Sequence, residues 1–382
     1  MSDTEPTKDV PPRPQPPAEP RAVTSAAAPS LPAEVAVVPN HKVGRHLVYD
    51  KYPAAYDVLM SRHDCSAVQA ALWAEARRLL APTKEASEPA QEPAEPSPSL
   101  RVADLGCGTG RLALMLLPWA RHLFAADAAM PMVARCVERV AALVPEARPH
   151  VYHEGTTPPT AAAAGDEPRS AVMAHCAFEE LAPLPEAVAK ERGLSPVKCP
   201  CAECLAALVT QGEAAVATPP TIGPVAGYAL HAGASSGGPQ DMVVAGWSLS
   251  FVMTAQWGNT RWHDVIFRTI ASMAAALDPA RGVVAVVETL GNFSEEPVRR
   301  NSLHTYLATV LGFTQSWCRT DYVFTSEEEA RRLVTFFFGS KVAERLAGTK
   351  DPTRLLECTG IWVRRFAPGE TVRLAPPAAA AT

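Results

Sequence analysis

The run Arg101-Val102-Ala103-Asp104-Leu105-Gly106-Cys107-Gly108-Thr109-Gly110-Arg111-Leu112-Ala113 constrains the fold more than any other stretch of this chain. An apolar strand carries an acid near its end, and glycines follow at alternate positions 106, 108 and 110. Glycine has no Cβ, so one side of this turn lets a bulky ligand approach the backbone and lets the chain take angles closed to other residues. A strand that runs through such a turn into an apolar helix is a cradle for something large. A dinucleotide fingerprint would read G-x-G-x-x-G and seat a pyrophosphate on the helix N-terminus. Here the third glycine comes one residue too early for that motif.

Beyond the turn, strand and helix patterns alternate, which predicts an α/β protein with a mostly parallel sheet covered on both faces. Strands are predicted over 101–105, 122–126, 171–175, 241–245 and 282–288, with 151–154 competing for the third place. Helices are predicted over 110–121, from Pro131 to Leu143, and over 262–277 and 298–311. Pro131 suits a first helical turn, where its missing N–H is harmless. Two last strands, 314–324 and 358–366, bracket a helical stretch that starts near Glu327, with Ser326 placed to cap it and an acid three residues on.

Four segments fall outside that pattern. Residues 1–40 and 375–382 read as tails, because few large apolar side chains there offset the entropy of ordering the chain. Residues 81–99 repeat Glu-Pro steps and read as a stiff extended insertion, and 187–240, rich in Ala, Gly, Pro and Cys, as a second one. The rest, 41–374, is read as one domain carrying both insertions.

The net charge of −5 gives no electrostatic footprint for nucleic acid, so DNA binding is not signalled. RNA or a ribonucleoprotein stays open, because a local patch or a partner can supply positive charge. Residues 1–20 carry acids and prolines rather than an apolar or Arg-rich segment, which signals neither secretion nor mitochondrial import. No apolar stretch reaches membrane-spanning length, so no membrane partner is expected and the expected location is cytoplasmic. Cys199, Cys201 and Cys204 suit a soft tetrahedral ion, yet no second Cys-x-x-Cys pair accompanies them. A structural metal site and a set of reduced free thiols both stand.

With Asp104 two residues before the first glycine, the G-x-G-x-G run resembles the first motif of class I S-adenosylmethionine-dependent methyltransferases. The resemblance implies a doubly wound, seven-stranded sheet whose last strand is antiparallel, and S-adenosyl-L-methionine as cofactor. It also implies that Asp104, Gly106, Cys107, Gly108 and Gly110 surround the donor's amino-acid end. Asp127, followed by Ala128, stands where the family places an acid against two ribose hydroxyls, although an acid after a strand is also a common helix cap. The segment with Cys176, Ala177 and Phe178 is similar to the adenine-contacting stretch, by backbone and stacking contacts. Asp241 to Phe251 resembles the fourth motif, where Gly246 and Trp247 would face the sulfonium. Trp247 is read either as an aromatic face for that cation or as packing between strand and helix.

Tyr49, Tyr52 and Tyr56 resemble the aromatic entry segment of many members, or else pack on a neighbouring helix. Arg319, Asp321 and Tyr322 are read as a hydrogen-bonded brace, with the acceptor pocket as the alternative. His263 and His304 are read as satisfied helix residues. The chain lacks the Asn/Asp-Pro-Pro-aromatic tetrapeptide of enzymes that methylate adenine or glutamine amino groups, and Pro200-Cys201 comes too early to be a cytosine-methylating nucleophile. The expected reaction is direct in-line transfer to an O, N or S nucleophile, with the catalytic residues unassigned. The alternative is a catalytically weak or inactive methyltransferase-like module used for binding or assembly, with a ribonucleoprotein as one candidate partner.

Overall fold

The computed structural model describes residues 49, 51–81, 96–144, 150–152, 170–175, 239–255, 262–278, 280–298 and 301–366. Helices α1 (Pro53–Met60) and α2 (Ser66–Leu80) precede β1 (Leu100–Leu105), α3 (Arg111–Leu116), β2 (Ala120–Asp127), α4 (Met130–Leu143), β3 (His150–Tyr152) and β4 (Ser170–His175). The chain is described again through β5 (Met242–Gly246), α5 (Leu249–Ala255), α6 (Trp262–Ala275), β6 (Gly282–Asn292) and α7 (Ser302–Thr309). The last part holds β7 (Thr314–Arg319), β8 (Tyr322–Val323), α8 (Glu327–Phe338), α9 (Ser340–Ala347), β9 (Arg354–Leu355) and β10 (Glu357–Phe366).

Eight strands form the main sheet in the order β3-β4-β2-β1-β5-β6-β10-β7. The pairs from β3 to β6 are parallel, and β10 runs antiparallel to both its neighbours. The sheet is therefore the doubly wound one expected, with one strand more than seven. Its extra member settles the competition for third place, since 150–152 and 170–175 are both strands and pair with each other.

Strands covered on both faces read as apolar runs rather than alternating ones, as in Gly282-Val283-Val284-Ala285-Val286-Val287. Because successive side chains point to opposite faces, Val284 and Val286 pack with Ile266, Phe267 and Leu307 on one side of the sheet. Val283, Ala285 and Val287 pack with Leu72, Leu112 and Val133 on the other.

Three element boundaries differ from those predicted. Helix α3 ends at Leu116 rather than near residue 121, because Pro118 has no N–H for the carbonyl of Leu114; the chain then pairs with β1 from Ala120. The helix expected from residue 298 starts at Ser302, where the Asn301 side chain accepts from His304 N–H. The strand expected over 314–324 is cut at Thr320, and its far end pairs with β9 in a separate two-stranded sheet. The cut follows from Asp321, whose carboxylate accepts from Arg319, Arg354 and the backbone N–H of Glu357 and turns the chain out of the main sheet.

Candidate functional site

In doubly wound sheets ligands bind beyond the carboxyl ends of the strands where the winding direction reverses. That point lies between β1 and β5, with β2 on the other side of β1. The turn after β1 supplies its floor. Gly106, Gly108 and Gly110 all have positive φ, at 70°, 54° and 89°, so the alternate glycines are a conformational requirement of the turn. Asp127, at the end of β2, ties the turn down: its Oδ2 accepts from Gly108 N–H at 2.8 Å and its Oδ1 from Ala129 N–H at 2.9 Å. The acid thus holds the glycine turn and the N–H of Ala129 just before α4, whereas α4 itself has no side-chain cap, so the helix-cap reading does not hold. Ala128 beside it is exposed.

Other residues named from sequence shape the turn from below. Asp104 is buried, and its Oδ2 accepts from Ala113 N–H at 2.8 Å, fixing the start of α3 against β1. Burial pushes its pKa up to about 7, with the Ala113 bond acting in the opposite sense. Cys107 is buried against Cys136, and that contact together with burial raises its thiol well above the ordinary range, so it is an inert packing thiol. At Gly246 a Cβ would come within 2.5 Å of Leu112 Cδ1, so glycine lets β5 close on α3. Cys176, Ala177, Phe178, Cys199, Cys201 and Cys204 lie outside the described residues, as does most of the 187–240 insertion. Among the described residues, no group of three or more His, Cys, Asp or Glu side chains is arranged to hold a metal ion.

Helix α1 stands over the turn. Arg135 and Arg139, one helical turn apart on α4, both reach Asp57, at 2.6 and 3.1 Å, and Arg139 also donates to the carbonyl of Thr109. The neighbouring Tyr56 is thereby set above Gly108, where a Cβ would lie 3.9 Å from its ring. Tyr49 packs edge-on against Tyr56 and Phe251, and Tyr52 against Phe336 of α8. The three tyrosines thus pack against the turn, α5 and α8, and their partners lie beyond the single helix weighed from sequence.

On the β5 side lies a cluster that sequence reasoning passed over. Arg111, half-buried at the first position of α3, donates to Tyr56 Oη at 3.1 Å and faces His63 Nδ1 at 2.7 Å. Its guanidinium lies 4.3 Å from the centroid of the Trp247 ring. Trp247, read from sequence either as a face for the donor's cation or as packing, thus carries the Arg111 guanidinium against its ring. His63 is buried, stacked on Tyr322 with ring centroids 4.2 Å apart, with Cys65 Sγ at 3.5 Å from Nδ1 and Glu357 Oε1 at 3.4 Å from Nε2. Burial works to lower the His63 pKa, and the Cys65 and Glu357 contacts outweigh it, so the net shift is upward. For Cys65, burial raises the thiol pKa while His63 and Arg111 pull it down, and the net shift is downward. The sequence signal was thin: Arg111 lies inside the recognised motif, but His63, Cys65 and Glu357 lie in no motif and are gathered only by the fold.

Of the groups left between packing and function, Arg319 and Asp321 form the brace, bonded at 2.7 to 2.9 Å, while Tyr322 joins the cluster through His63. His304 completes the cap at Asn301 and stacks on Trp362, and His263 packs on Trp262 and Tyr306.

No family model and no curated protein matches the chain. Solved structures similar to it include a magnesium protoporphyrin IX methyltransferase from Synechocystis PCC 6803 with bound SAH, at 10% identity, 78% of this chain, 80% of that chain and a TM-score of 0.32. A SAM-dependent methyltransferase from Thiobacillus denitrificans in complex with S-adenosyl-L-homocysteine aligns at 11% identity over 78% of this chain and 90% of that one, with a TM-score of 0.31. The YcgJ protein from Bacillus subtilis aligns at 12% identity over 70% of this chain and 90% of its own, with a TM-score of 0.32. Overlaps this loose leave the fold to rest on the strand order and the site on its own geometry.

Proposed function

We propose that this chain binds S-adenosylmethionine across the turn at Gly106, Gly108 and Gly110 and directs its methyl group to an O, N or S nucleophile. The observation that carries the reading is the bond between Asp127 and Gly108, which joins an acid and a left-handed glycine turn into one unit at the switch point of the sheet. The residues fit such a ligand. Three glycines open the backbone to close approach, and a carboxylate accepts about four hydrogen bonds, so Asp127 can serve ribose hydroxyls as well as the turn. In this reading Gly106, Cys107, Gly108, Gly110, Asp127 and Ala128 line the donor, with Asp104 and Gly246 holding the turn from beneath. Cys176, Ala177 and Phe178 take the adenine, and Trp247 marks the boundary with the acceptor.

When bound, the donor supplies a methyl group already activated by the positive sulfur. The chain's own contribution is then alignment and exclusion of water. Helix α1, held by Arg135 and Arg139 through Asp57, sets Tyr56 over the turn for that purpose. Among the described residues no helix is long and apolar enough to cross a membrane.

The test is calorimetry with S-adenosylhomocysteine, for which a micromolar dissociation constant, roughly −8 kcal/mol, is expected. Absence of heat at millimolar ligand removes the reading. Binding without label transfer to any fraction of a cell extract turns it into the binding-module alternative.

A further inference from the structure

We propose that Arg111, Tyr56, Trp247 and His63 form the acceptor end of this site, where the guanidinium receives an acid group of a small-molecule acceptor and His63 takes the proton of its nucleophile. The inference rests on the methyl-transfer reading above.

Arg111 is paired differently from several other arginines of the fold. Arg62, Arg135, Arg281, Arg319 and Arg365 each reach a carboxylate. The Arg111 guanidinium pairs with no carboxylate among the described residues; it meets a phenol, an imidazole, a thioether, a thiol and the face of Trp247. A half-buried cation is stabilised far better by an anion than by such partners. Beside it, Trp247 holds a left-handed φ of 52°, rare outside glycine, and its buried Nε1 has no hydrogen-bond partner. One cluster thus offers a cation with no carboxylate partner among the described residues and an unused N–H donor, the two features that bind an acid group.

The same cluster holds a masked base. His63 Nδ1 faces an Arg111 N–H at 2.7 Å, so that nitrogen is unprotonated, and the ring proton lies on Nε2 toward Glu357. When Arg111 turns to an acid group on a ligand, Nδ1 loses its strongest donor next to that ligand and keeps only the weak thiol contact of Cys65 at 3.5 Å. A methyl donor needs no proton acceptor, whereas a protonated hydroxyl, amine or thiol does. Location agrees with this division: Asp127 secures the turn from β2, while the cluster sits toward β5, on the opposite side of β1, and draws Tyr322 and Glu357 from β8 and β10.

In the step, the acceptor's nucleophilic atom attacks the methyl carbon in line with the sulfur. A bond from that atom to carbon forms, and the carbon–sulfur bond breaks with its electron pair going to sulfur. The proton shed by the nucleophile passes to His63 Nδ1, giving an imidazolium that faces Glu357. No oxidant, reductant or metal enters the balance. The acceptor class is a hydroxy-, amino- or mercapto-carboxylic acid.

The experiment uses the full-length protein saturated with S-adenosylhomocysteine and titrated with 3-hydroxybenzoate or its neutral counterpart 3-hydroxybenzamide, followed by label transfer from S-adenosylmethionine to each. The acid is expected to bind about tenfold or more tightly than the amide, as a charge-assisted bidentate contact does. Arg111→Met should erase that preference while S-adenosylhomocysteine affinity stays within about twofold; Arg111→Lys, which keeps the charge if the Met variant fails to fold, should retain part of it. His63→Gln should cut label transfer by about a hundredfold with the acid's dissociation constant unchanged. The proposal is overturned if the acid and the amide bind alike, or if neither binds. It is equally overturned if Arg111→Met weakens S-adenosylhomocysteine but not methylthioadenosine, which would put the guanidinium on the donor's own carboxylate. Failure of the parent reading is a different result, since the wild-type protein would then give no heat with S-adenosylhomocysteine.

Discussion

Asp127 and Gly108 form one structural unit: the carboxylate that ends β2 accepts the N–H of the middle glycine at 2.8 Å, across the strand pair β1/β2. Removing the acid therefore acts twice, on the turn and on any ligand the turn holds. Asp127→Ala should weaken S-adenosylhomocysteine binding by on the order of 1.5 to 3 kcal/mol, the range for a hydrogen bond to a charged group, while the protein stays folded. Calorimetry with circular dichroism as control checks it, and unchanged affinity in a folded variant would falsify the ribose assignment.

Gly110 and Gly108 should fail differently when substituted. At Gly110 φ is +89° and a Cβ would sit 2.7 Å from Cys136 Sγ, whereas at Gly108 φ is +54° and the nearest atom, in Tyr56, is 3.9 Å away. Gly110→Ala should therefore cost stability, about 1 to 2 kcal/mol from the left-handed backbone and more from the collision. Adding Cys136→Ala should recover the collision part only, which a double-mutant cycle by urea unfolding reads directly. Gly108→Val should fold with a smaller loss but bind donor poorly, because its branches enter the space beneath Tyr56.

The fold was legible because its causes are local. Apolar strand runs, Pro131 at a helix start and the glycine turn each state their structure within a few residues, and the α/β order followed from them. The site was legible only on the β2 side. Asp127 and the glycines lie within about twenty residues of one another in a motif, whereas His63 meets Arg111 across 48 residues of chain and Glu357 across 294. A histidine, an arginine and a glutamate so far apart carry no spacing signal. The strand break at Asp321 was hidden for the same reason, since two of its partners, Arg354 and Glu357, come from β9 and β10.

Asp104 should make stability fall as pH rises through neutrality. Its folded pKa, about 7, is raised above the unfolded value by burial, so between roughly pH 4 and 7 the folded protein binds more protons than the unfolded one. The sign is then negative: stability is fully present below the unfolded pKa and declines toward pH 7, by up to about 1.4 kcal/mol per pH unit within the window. His63, with its pKa also raised, acts in the same direction near neutrality. Urea unfolding from pH 5 to 8 should therefore show a shallower decline in Asp104→Asn than in the parent. Parallel slopes would remove Asp104 as the cause.

Asp321→Ala should destabilise the C-terminal half without touching the donor site. Its carboxylate serves Arg319, Arg354 and the N–H of Glu357, and Asp321 itself is 3% exposed. The arginines are a third and half exposed, so water compensates much of their loss, and the buried Glu357 N–H carries most of the penalty. A cost on the order of 2 to 3 kcal/mol is expected, read as a lower urea midpoint with an unchanged dissociation constant for S-adenosylhomocysteine.

The last prediction separates the domain from its central insertion. The sequence from Leu194 to Gly238 carries few large apolar side chains in any periodic pattern, whereas Gln240 is already tied into the sheet, donating to Ala276 O and accepting from Asp278 N–H, both at 2.7 Å. Loop-closure entropy grows slowly with length, each doubling costing only about 0.6 kcal/mol, so shortening the segment changes stability little. Replacing Leu194 to Gly238 with a short Gly-Ser linker, and leaving Pro239 onward intact, should give a folded protein that still binds S-adenosylhomocysteine, with any loss confined to acceptor or partner recognition. An unfolded product would mean that the segment builds part of the core. Stoichiometric zinc in the parent, lost on changing Cys199, Cys201 and Cys204 to Ser, would mean that the three thiols hold a structural ion and that the segment is a folded unit in its own right.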